Sequence, residues 1–190
     1  ERNGDMTLSP TSAVTGIKLN GTWEAELKHP VDREGRWEYI ETEAVVKMPS
    51  FNGEQLFRIK DVNRSESEVT AKMEPIFMDA MDDCFLEDVR PTNKTGQEAL
   101  DIMTEPNSKY TGISDITSGN TAYYENMNLI EAINGDNENS FVNRWGGEIM
   151  FDNFTIIVNE RVGGDYGYEI RYGKNIAQTG SRKKLIYGML

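Results

Sequence analysis

The sequence is poor in the residue types that build disulfide frameworks and most zinc sites, with one cysteine and one histidine. Cys84 alone forms no intrachain disulfide and no cysteine-based zinc framework. With His29 as the only imidazole, a zinc helix of the His-Glu-x-x-His type is excluded as well. A single thiol fits a protein made in the cytoplasm, which is where we expect synthesis.

Basic residues are also scarce, with 20 Lys and Arg against 32 Asp and Glu and a net charge of −12. Such a surface repels phosphate backbones and anionic lipid heads, so we expect no tight nucleic-acid binding. The only local basic run, residues 182–184, is predicted to be a solvated tail. No stretch approaches the roughly 20 apolar residues that span a bilayer, so no membrane insertion is expected.

What is present indicates a folded protein. Of the 190 residues, 37% are hydrophobic, enough for one medium domain or two small ones with real cores. Residues 16–70 predict a series of short strands, with Asn20-Gly21 as a type I′ hairpin turn. The dipeptide His29-Pro30 predicts a strand break. The strands are predicted at residues 17–19, 22–27, 37–40, 44–48, 55–62 and 68–73.

From Pro75 onward, the apolar residues recur at the spacing that is typical of helices. One apolar stripe predicts a helix from Ile76 through Phe85, and Thr95 with Glu98 has the form of a capping box that begins a second helix. Further helices are predicted at residues 125–133 and 139–144, and strands at 148–152, 154–158 and 168–172. The fold class is therefore α+β: a β-barrel-like domain over residues 1–90, a smaller α+β domain over 91–176, and a divergent tail over 177–190.

The sequence offers few candidate residues for catalysis or ligand binding. Cys84 and His29 are the only possible thiol–imidazole pair, but a cysteine on an apolar helix stripe is ordinarily a buried, inert thiol. A cluster of five acidic residues either binds a hard cation or forms the solvated face of a helix. The cluster comprises Asp79, Asp82, Asp83, Glu87 and Asp88. Three tryptophans form either a sugar-binding platform or parts of the core: Trp23, Trp37 and Trp145. We predict no catalytic, cofactor or metal site.

Several ordered segments resemble a known family over about residues 19–175. The segments are residues 27–32, 54–59, 85–93, 128–135, 139–149, 152–156 and 169–175. They resemble the N-terminal region of phage minor structural proteins, also called prophage tail endopeptidases or tail-associated lysins. Within them, the motif positions are Asn139, Arg144, Trp145, Gly146, Gly147, Asp152, Arg171, Tyr172 and Gly173.

The resemblance implies an architectural role and no catalytic residues in this region. The family's N-terminal region is similar to baseplate hub proteins, which form a trimeric ring at the virion tail tip, below the tail tube and distal tail protein. The implied partners are further copies of the chain, the distal tail protein, and tail-tube or tape-measure components, with phage DNA passing through. Any hydrolase part lies downstream. After residue 175 the sequence departs from the family, as expected of a truncated remnant or a fragment.

Individual motif residues have expected roles, and two rival functions stay open. Gly146 and Gly147 would let a helix turn sharply into a strand, with Trp145 anchoring that turn in the core. Arg144 and Arg171 are expected to pair with acids. The rivals are a peptidoglycan hydrolase acting through carboxylates or Cys84, and a carbohydrate-binding module for host attachment.

Overall fold

The structure, a computed structural model, describes residues 4–163. Strands and short helices alternate along the chain, which confirms the predicted α+β class. None of the helices within the described residues is long and apolar enough to cross a membrane.

The first half of the chain forms one five-stranded antiparallel sheet. Alternate residues of its central strands are buried, as expected for a sheet with one face on a core. A β-bulge between Ile59 and Asp61 interrupts the longest strand, and a bulge strengthens local twist. The result is a curled, open half-barrel that confirms the barrel-like prediction. The strands are β1 (Ser12–Ile17), β2 (Trp23–Pro30), β3 (Val45–Ser50), β4 (Gly53–Arg64) and β5 (Glu68–Pro75). Their order in the sheet is β1-β2-β5-β4-β3.

Four local predictions in this half are wrong. The first strand is β1, Ser12–Ile17, and most of the segment predicted as a strand over residues 17–19 lies in the turn that follows it. β2 continues through His29 and ends at Pro30. Proline is tolerated there because it is the last residue of the strand, where its missing backbone N–H leaves no hydrogen bond of the sheet unmade. The segment predicted as a strand over residues 37–40 contains a 3-10 helix, Arg36–Tyr39. The turn at Asn20 is present, but a type I′ turn needs positive φ at both central residues and only Asn20, at +50°, has it.

The predicted helix from Ile76 to Phe85 is replaced by shorter elements. A 3-10 turn, Ile76–Asp79, leads into α1 (Ala80–Asp83), and β6 (Phe85–Val89) follows. β6 pairs with β8 (Tyr124–Asn128), so the helix predicted to begin at residue 125 begins later, as α3 (Leu129–Asn134). Pairing between these distant segments satisfies their backbone groups, and it overrides the local helical pattern.

The remaining predicted elements within the described residues form, and one further strand, at residues 111–113, was not predicted. α2 (Gly96–Thr104) begins with a complete capping box between Thr95 and Glu98. After α4 (Phe141–Trp145), the hairpin of β9 (Glu148–Asp152) and β10 (Thr155–Asn159) forms as predicted. β10 also pairs in parallel with β7 (Thr111–Ile113), giving a three-stranded sheet in the order β7-β10-β9.

Two apolar clusters form the cores, and β9 contacts both. The first cluster lies on the inner face of the half-barrel. The second cluster begins in the sequence with Phe77 and lies among α2, α3, α4 and the three-stranded sheet. Phe151 packs against both, with its ring centroid 5.4 Å from that of Trp23 and 5.3 Å from that of Phe77. The division of the chain into domains at residue 90 stays a prediction.

Candidate functional site

The junction between α4 and β9 depends on two glycines for two different reasons. Gly146 has φ +77° and ψ −156°, a backbone conformation that is essentially restricted to glycine. Gly147 has φ +101°, and a Cβ there would lie 2.9 Å from Val158 Cγ1 and 3.0 Å from Asn159 O. The chain therefore reverses from helix to strand in very little space, as the sequence predicts for this pair.

Trp145 fixes the same junction in the second core. Its side chain is buried, and its indole Nε1 donates a 2.8 Å hydrogen bond to Lys94 O. Its ring stacks on Phe141 with centroids 4.9 Å apart and planes inclined by 14°. Offset stacking of this kind adds to the free energy gained by burial, so Trp145 acts as an anchor.

Arg144 differs from its expected role. Its guanidinium donates through Nε and Nη2 to the side-chain oxygen of Asn139, at 3.1 and 2.5 Å, and not to an acid. Its backbone carbonyl accepts a hydrogen bond from the side-chain amide of Asn120. Arg144 and Asn139 thus connect the ends of one short segment around α4. Three further motif residues, Arg171, Tyr172 and Gly173, lie outside the described residues, as does the strand predicted at 168–172.

A first amide clamp joins the half-barrel to this junction. At the tip of the β1–β2 hairpin, the Asn20 side chain donates to Gly147 O at 2.8 Å and accepts from Ile149 N–H at 2.8 Å. Asn134, at the end of α3, donates to Asn20 O at 3.3 Å. The left-handed backbone at Asn20 is one that asparagine tolerates better than most residues.

A second amide clamp holds the other end of β9. Asn52 donates to Phe151 O at 2.8 Å, and Gln55 donates to Asp152 Oδ1 at 3.1 Å. The bonds also run in the opposite direction, since Asn153 N–H donates to Gln55 Oε1 and Leu56 N–H donates to Asn153 Oδ1. The motif residue Asp152 therefore has a structural partner in the half-barrel.

Sequence reasoning missed both clamps. Asn20, Asn52 and Asn153 all stand at turns, and turn chemistry alone accounts for asparagine there. Their partners are about 100 residues or more away in the chain. A clue available from the sequence is the concentration of amides beside turns, and it does not specify a partner.

The acidic cluster is held largely by ion pairs. Arg58 makes two 2.7 Å bonds to the carboxylate of Asp79, and these bonds raise the pKa of Arg58. Asp83 accepts from Lys109 Nζ at 2.5 Å and from Tyr110 OH at 3.0 Å, and both bonds lower the pKa of Asp83. Burial raises the pKa of Tyr110 to about 12. Within residues 4–163, no group of three or more Asp, Glu, His or Cys is placed to hold a metal ion.

The cysteine and the histidine do not form a dyad. Cys84 is buried in the second core, where burial raises the pKa of its thiol. His29 is fully buried in β2, where its Nε2 lies 3.0 Å from Ser9 N and its Nδ1 lies 2.8 Å from Pro30 O. Backbone groups thus occupy both ring nitrogens. The neutral tautomer protonated on Nδ1 satisfies both partners.

The three tryptophans do not form an exposed row. Trp23 and Trp145 are buried in different cores, and Trp37 is half-buried with the Arg64 guanidinium 5.9 Å from its ring centroid. This arrangement is that of core packing and not of a sugar-binding platform.

Comparisons with known proteins give a likeness of structure only. No protein-family model matches the sequence, and no curated protein matches it. A crystal structure of the prophage tail protein gp18 from Listeria monocytogenes EGD-e superposes with a TM-score of 0.63 at 18% identity, over 87% of this chain and 50% of that protein.

A second solved structure is more distant. It is the E. coli c3393 protein, a component of the type VI secretion system described as similar to the T4 bacteriophage tail proteins gp27 and gp5. The superposition covers 87% of this chain and 51% of the c3393 chain, at 10% sequence identity. Its TM-score of 0.44 is too low to define a shared fold. At the level of fold, this chain is thus similar to a prophage tail protein, and it spans half of that protein's length.

Proposed function

We propose that this chain is a structural component of a phage or prophage tail tip, belonging to the hub at the centre of the baseplate. It assembles with copies of itself, as a trimer in the intact hub, and with the distal tail protein beneath the tail tube. It is synthesised in the host cytoplasm and carries no catalytic group of its own. The family implied is that of the tail-associated lysins, in their N-terminal region.

The observation that carries this proposal is the fold shared with a prophage tail protein over 87% of the chain. Fold likeness does not by itself fix function. The ordered sequence segments that resemble tail-associated lysins point to the same class of protein and also span most of the chain.

The use of the ionisable side chains supports a structural role. Asp79 and Asp83 neutralise Arg58 and Lys109, and Asp152 accepts a hydrogen bond from Gln55. Carboxylates that serve as glycosidase acids or nucleophiles must be free to exchange protons or attack a sugar. These three carboxylates instead join elements of the fold.

The experiment is a measurement of solution mass by light scattering, for the chain alone and mixed with the distal tail protein of the same prophage. We expect a stable complex with that protein. The control is a mixture in which the distal tail protein is replaced by a capsid protein of the same prophage.

A peptidoglycan hydrolysis assay on the same sample distinguishes the tail role from the rival function of a cell-wall hydrolase. Binding to the distal tail protein without hydrolysis supports the tail role. Hydrolysis by the purified chain, together with indifference to the distal tail protein, would show the role to be wrong.

A further inference from the structure

Three of the four asparagines in the two amide clamps belong to the dipeptide that deamidates most readily in proteins. Asn-Gly occurs four times in the sequence, beginning at Asn3, Asn20, Asn52 and Asn134. Asn3 lies outside the described residues, and the other three all donate side-chain hydrogen bonds within the clamps. The side chains that hold β9 to the half-barrel are therefore open to a spontaneous chemical change.

Deamidation at Asn-Gly is a reaction of the chain with water. The backbone nitrogen of the glycine loses its proton to the solvent and attacks Cγ of the asparagine, so that an N–Cγ bond forms, the Cγ–Nδ2 bond breaks and ammonia leaves. Water then opens the cyclic imide at either carbonyl, which gives aspartate or isoaspartate. Overall, one amide and one water become one carboxylate and one ammonium ion. Glycine favours the attack because it has no side chain to obstruct it.

The fold holds Asn20 away from this reaction. Its side chain donates to Gly147 O and accepts from Ile149 N–H, both at 2.8 Å, and these bonds fix its Cγ in place. The attacking nitrogen is also occupied, because Gly21 N–H donates to Lys18 O at 2.9 Å. Local opening of the clamp must therefore precede deamidation of Asn20.

Asn52 is restrained in a similar way in the second clamp. Its side-chain amide donates to Phe151 O at 2.8 Å, and its Oδ1 is buried. Gly53, which carries the attacking nitrogen, pairs with Ser50 at the end of the β3–β4 ladder. This site also needs local opening before it can react.

Asn134 is held less firmly than Asn20 or Asn52. Its one side-chain hydrogen bond to a described residue, Asn20 O, is 3.3 Å long, against 2.8 Å for the bonds that the other two donate. Asn134 is exposed to water, whereas Asn20 and Asn52 are half-buried. The attacking nitrogen belongs to Gly135, whose N–H donates to Glu131 O at the end of α3, and helix ends fray. Asn134 therefore has the easiest route to the cyclic imide.

Deamidation of Asn134 weakens the first clamp directly. The product has no side-chain N–H, so the bond to Asn20 O is lost and a carboxylate faces that carbonyl oxygen instead. The new charge also lies at the C-terminal end of α3, where the helix dipole disfavours it, and three residues after Glu131. A cavity of about 290 Å³ borders both Asn20 and Asn134, which leaves the hairpin tip room to move.

We infer that Asn134 and Asn20 are deamidation sites that react in a fixed order. Asn134 reacts first, in the folded protein, and its conversion opens the first clamp. Asn20 is then released from Gly147 O, reacts in turn, and loses the N–H with which it held that carbonyl. The two reactions together free β9 from the β1–β2 hairpin irreversibly, while Asn52 and the second clamp stay intact. The order is independent of the proposed tail role.

The experiment follows deamidation of the full chain at mildly alkaline pH, in native buffer and in urea. Peptide mapping by mass spectrometry measures aspartate and isoaspartate at each Asn-Gly separately. In urea we expect Asn20, Asn52 and Asn134 to react at similar rates, because each is followed by glycine. In native buffer, Asn134 should react about tenfold faster than Asn20 and Asn52, or more, since only those two need a clamp to open. A native Asn134 that reacts no faster than Asn20 would overturn the inference.

Two substitutions test the order of the reactions. Asn134→Asp reproduces the first product, and deamidation of Asn20 should then be about tenfold faster than in freshly prepared wild type, or more. Asn134→Gln is the matched control, because it keeps a side-chain N–H and its cyclic imide would be a less easily formed six-membered ring; Asn20 should stay protected in it.

Asn52 serves as the internal control for global unfolding. Its rate in the Asn134→Asp variant should equal that in the wild type, because the second clamp is unchanged. Equal acceleration of Asn20 and Asn52 would mean that the whole fold is destabilised, and it would overturn the inference. An Asn20 rate that Asn134→Asp leaves unchanged would overturn it as well.

Discussion

The side-chain amide of Asn20 donates to the carbonyl oxygen of Gly147 at 2.8 Å, joining residues 127 positions apart. The same side chain accepts from Ile149 N–H, so it pairs with the backbone as a neighbouring strand would. Gly147 can be reached because it has no side chain and follows the sharp turn after Trp145. This contact and the Gln55–Asn153 pair hold β9 between the two cores.

Replacement of Asn20 by Asp tests the first clamp. Aspartate tolerates the left-handed backbone and keeps the acceptor for Ile149 N–H, but it has no N–H for Gly147 O. We expect the free energy of unfolding to fall by about 1–3 kcal/mol, measured by urea denaturation. Asn63→Asp introduces the same charge at an exposed position and should change stability by less than about 0.5 kcal/mol. Equal effects of the two substitutions would show that charge and not the clamp is responsible.

The two glycines should respond differently to alanine. Both substitutions impose an unfavourable backbone conformation, which costs about 1–3 kcal/mol. Gly147→Ala also forces its Cβ against Val158, whereas a Cβ at Gly146 meets no atom within 4 Å. We therefore expect Gly147→Ala to lower the thermal unfolding midpoint further than Gly146→Ala does. The reverse order, measured by calorimetry, would refute this account of the junction.

Elements specified by local contacts were predictable from the sequence, and those specified by distant contacts were not. The capping box of Thr95 and Glu98 lies within one helical turn, and the β9–β10 hairpin needs only adjacent residues. By contrast, the segment after Cys84 has an apolar spacing compatible with a helix and becomes β6 only because β8 is available to pair with it. Asn20 illustrates the same limit for the site, since its turn was predictable and its partner was not.

Cys84 should be chemically inert in the folded protein. Its side chain is 1% exposed, and burial raises the pKa of the thiol, so the reactive thiolate is disfavoured. We expect negligible labelling by a thiol reagent under native conditions and full labelling in denaturant. The control is the double variant Cys84→Ala, Asp82→Cys, which places the thiol at an exposed position of α1, two residues earlier in the chain, and should be labelled rapidly. Rapid native labelling of Cys84 would contradict its placement in the core.

Asp83 should contribute a pH-dependent part of the stability. Hydrogen bonds from Lys109 and Tyr110 lower its pKa in the folded chain, so it stabilises the fold above its unfolded value of about 3.9. That contribution is lost as the pH falls through the lowered folded value. The difference in unfolding free energy between the wild type and Asp83→Asn should therefore be present near neutral pH and shrink below about pH 4.

The neighbouring residue provides the control for this titration. Asp82 is exposed and makes no hydrogen bond or ion pair with the described residues, so Asp82→Asn should change the free energy of unfolding by less than about 0.5 kcal/mol. A pH-independent difference for Asp83→Asn would mean that its contacts with Lys109 and Tyr110 do not stabilise the fold.

The most direct test of the tail role is to locate the protein in purified tails of the phage induced from the host that carries the gene. Cryo-electron microscopy of those tails should show density for the half-barrel and the three-stranded sheet at the tail tip, adjacent to the distal tail protein. Absence of the protein from purified tails, or its presence only in the head, would contradict the account.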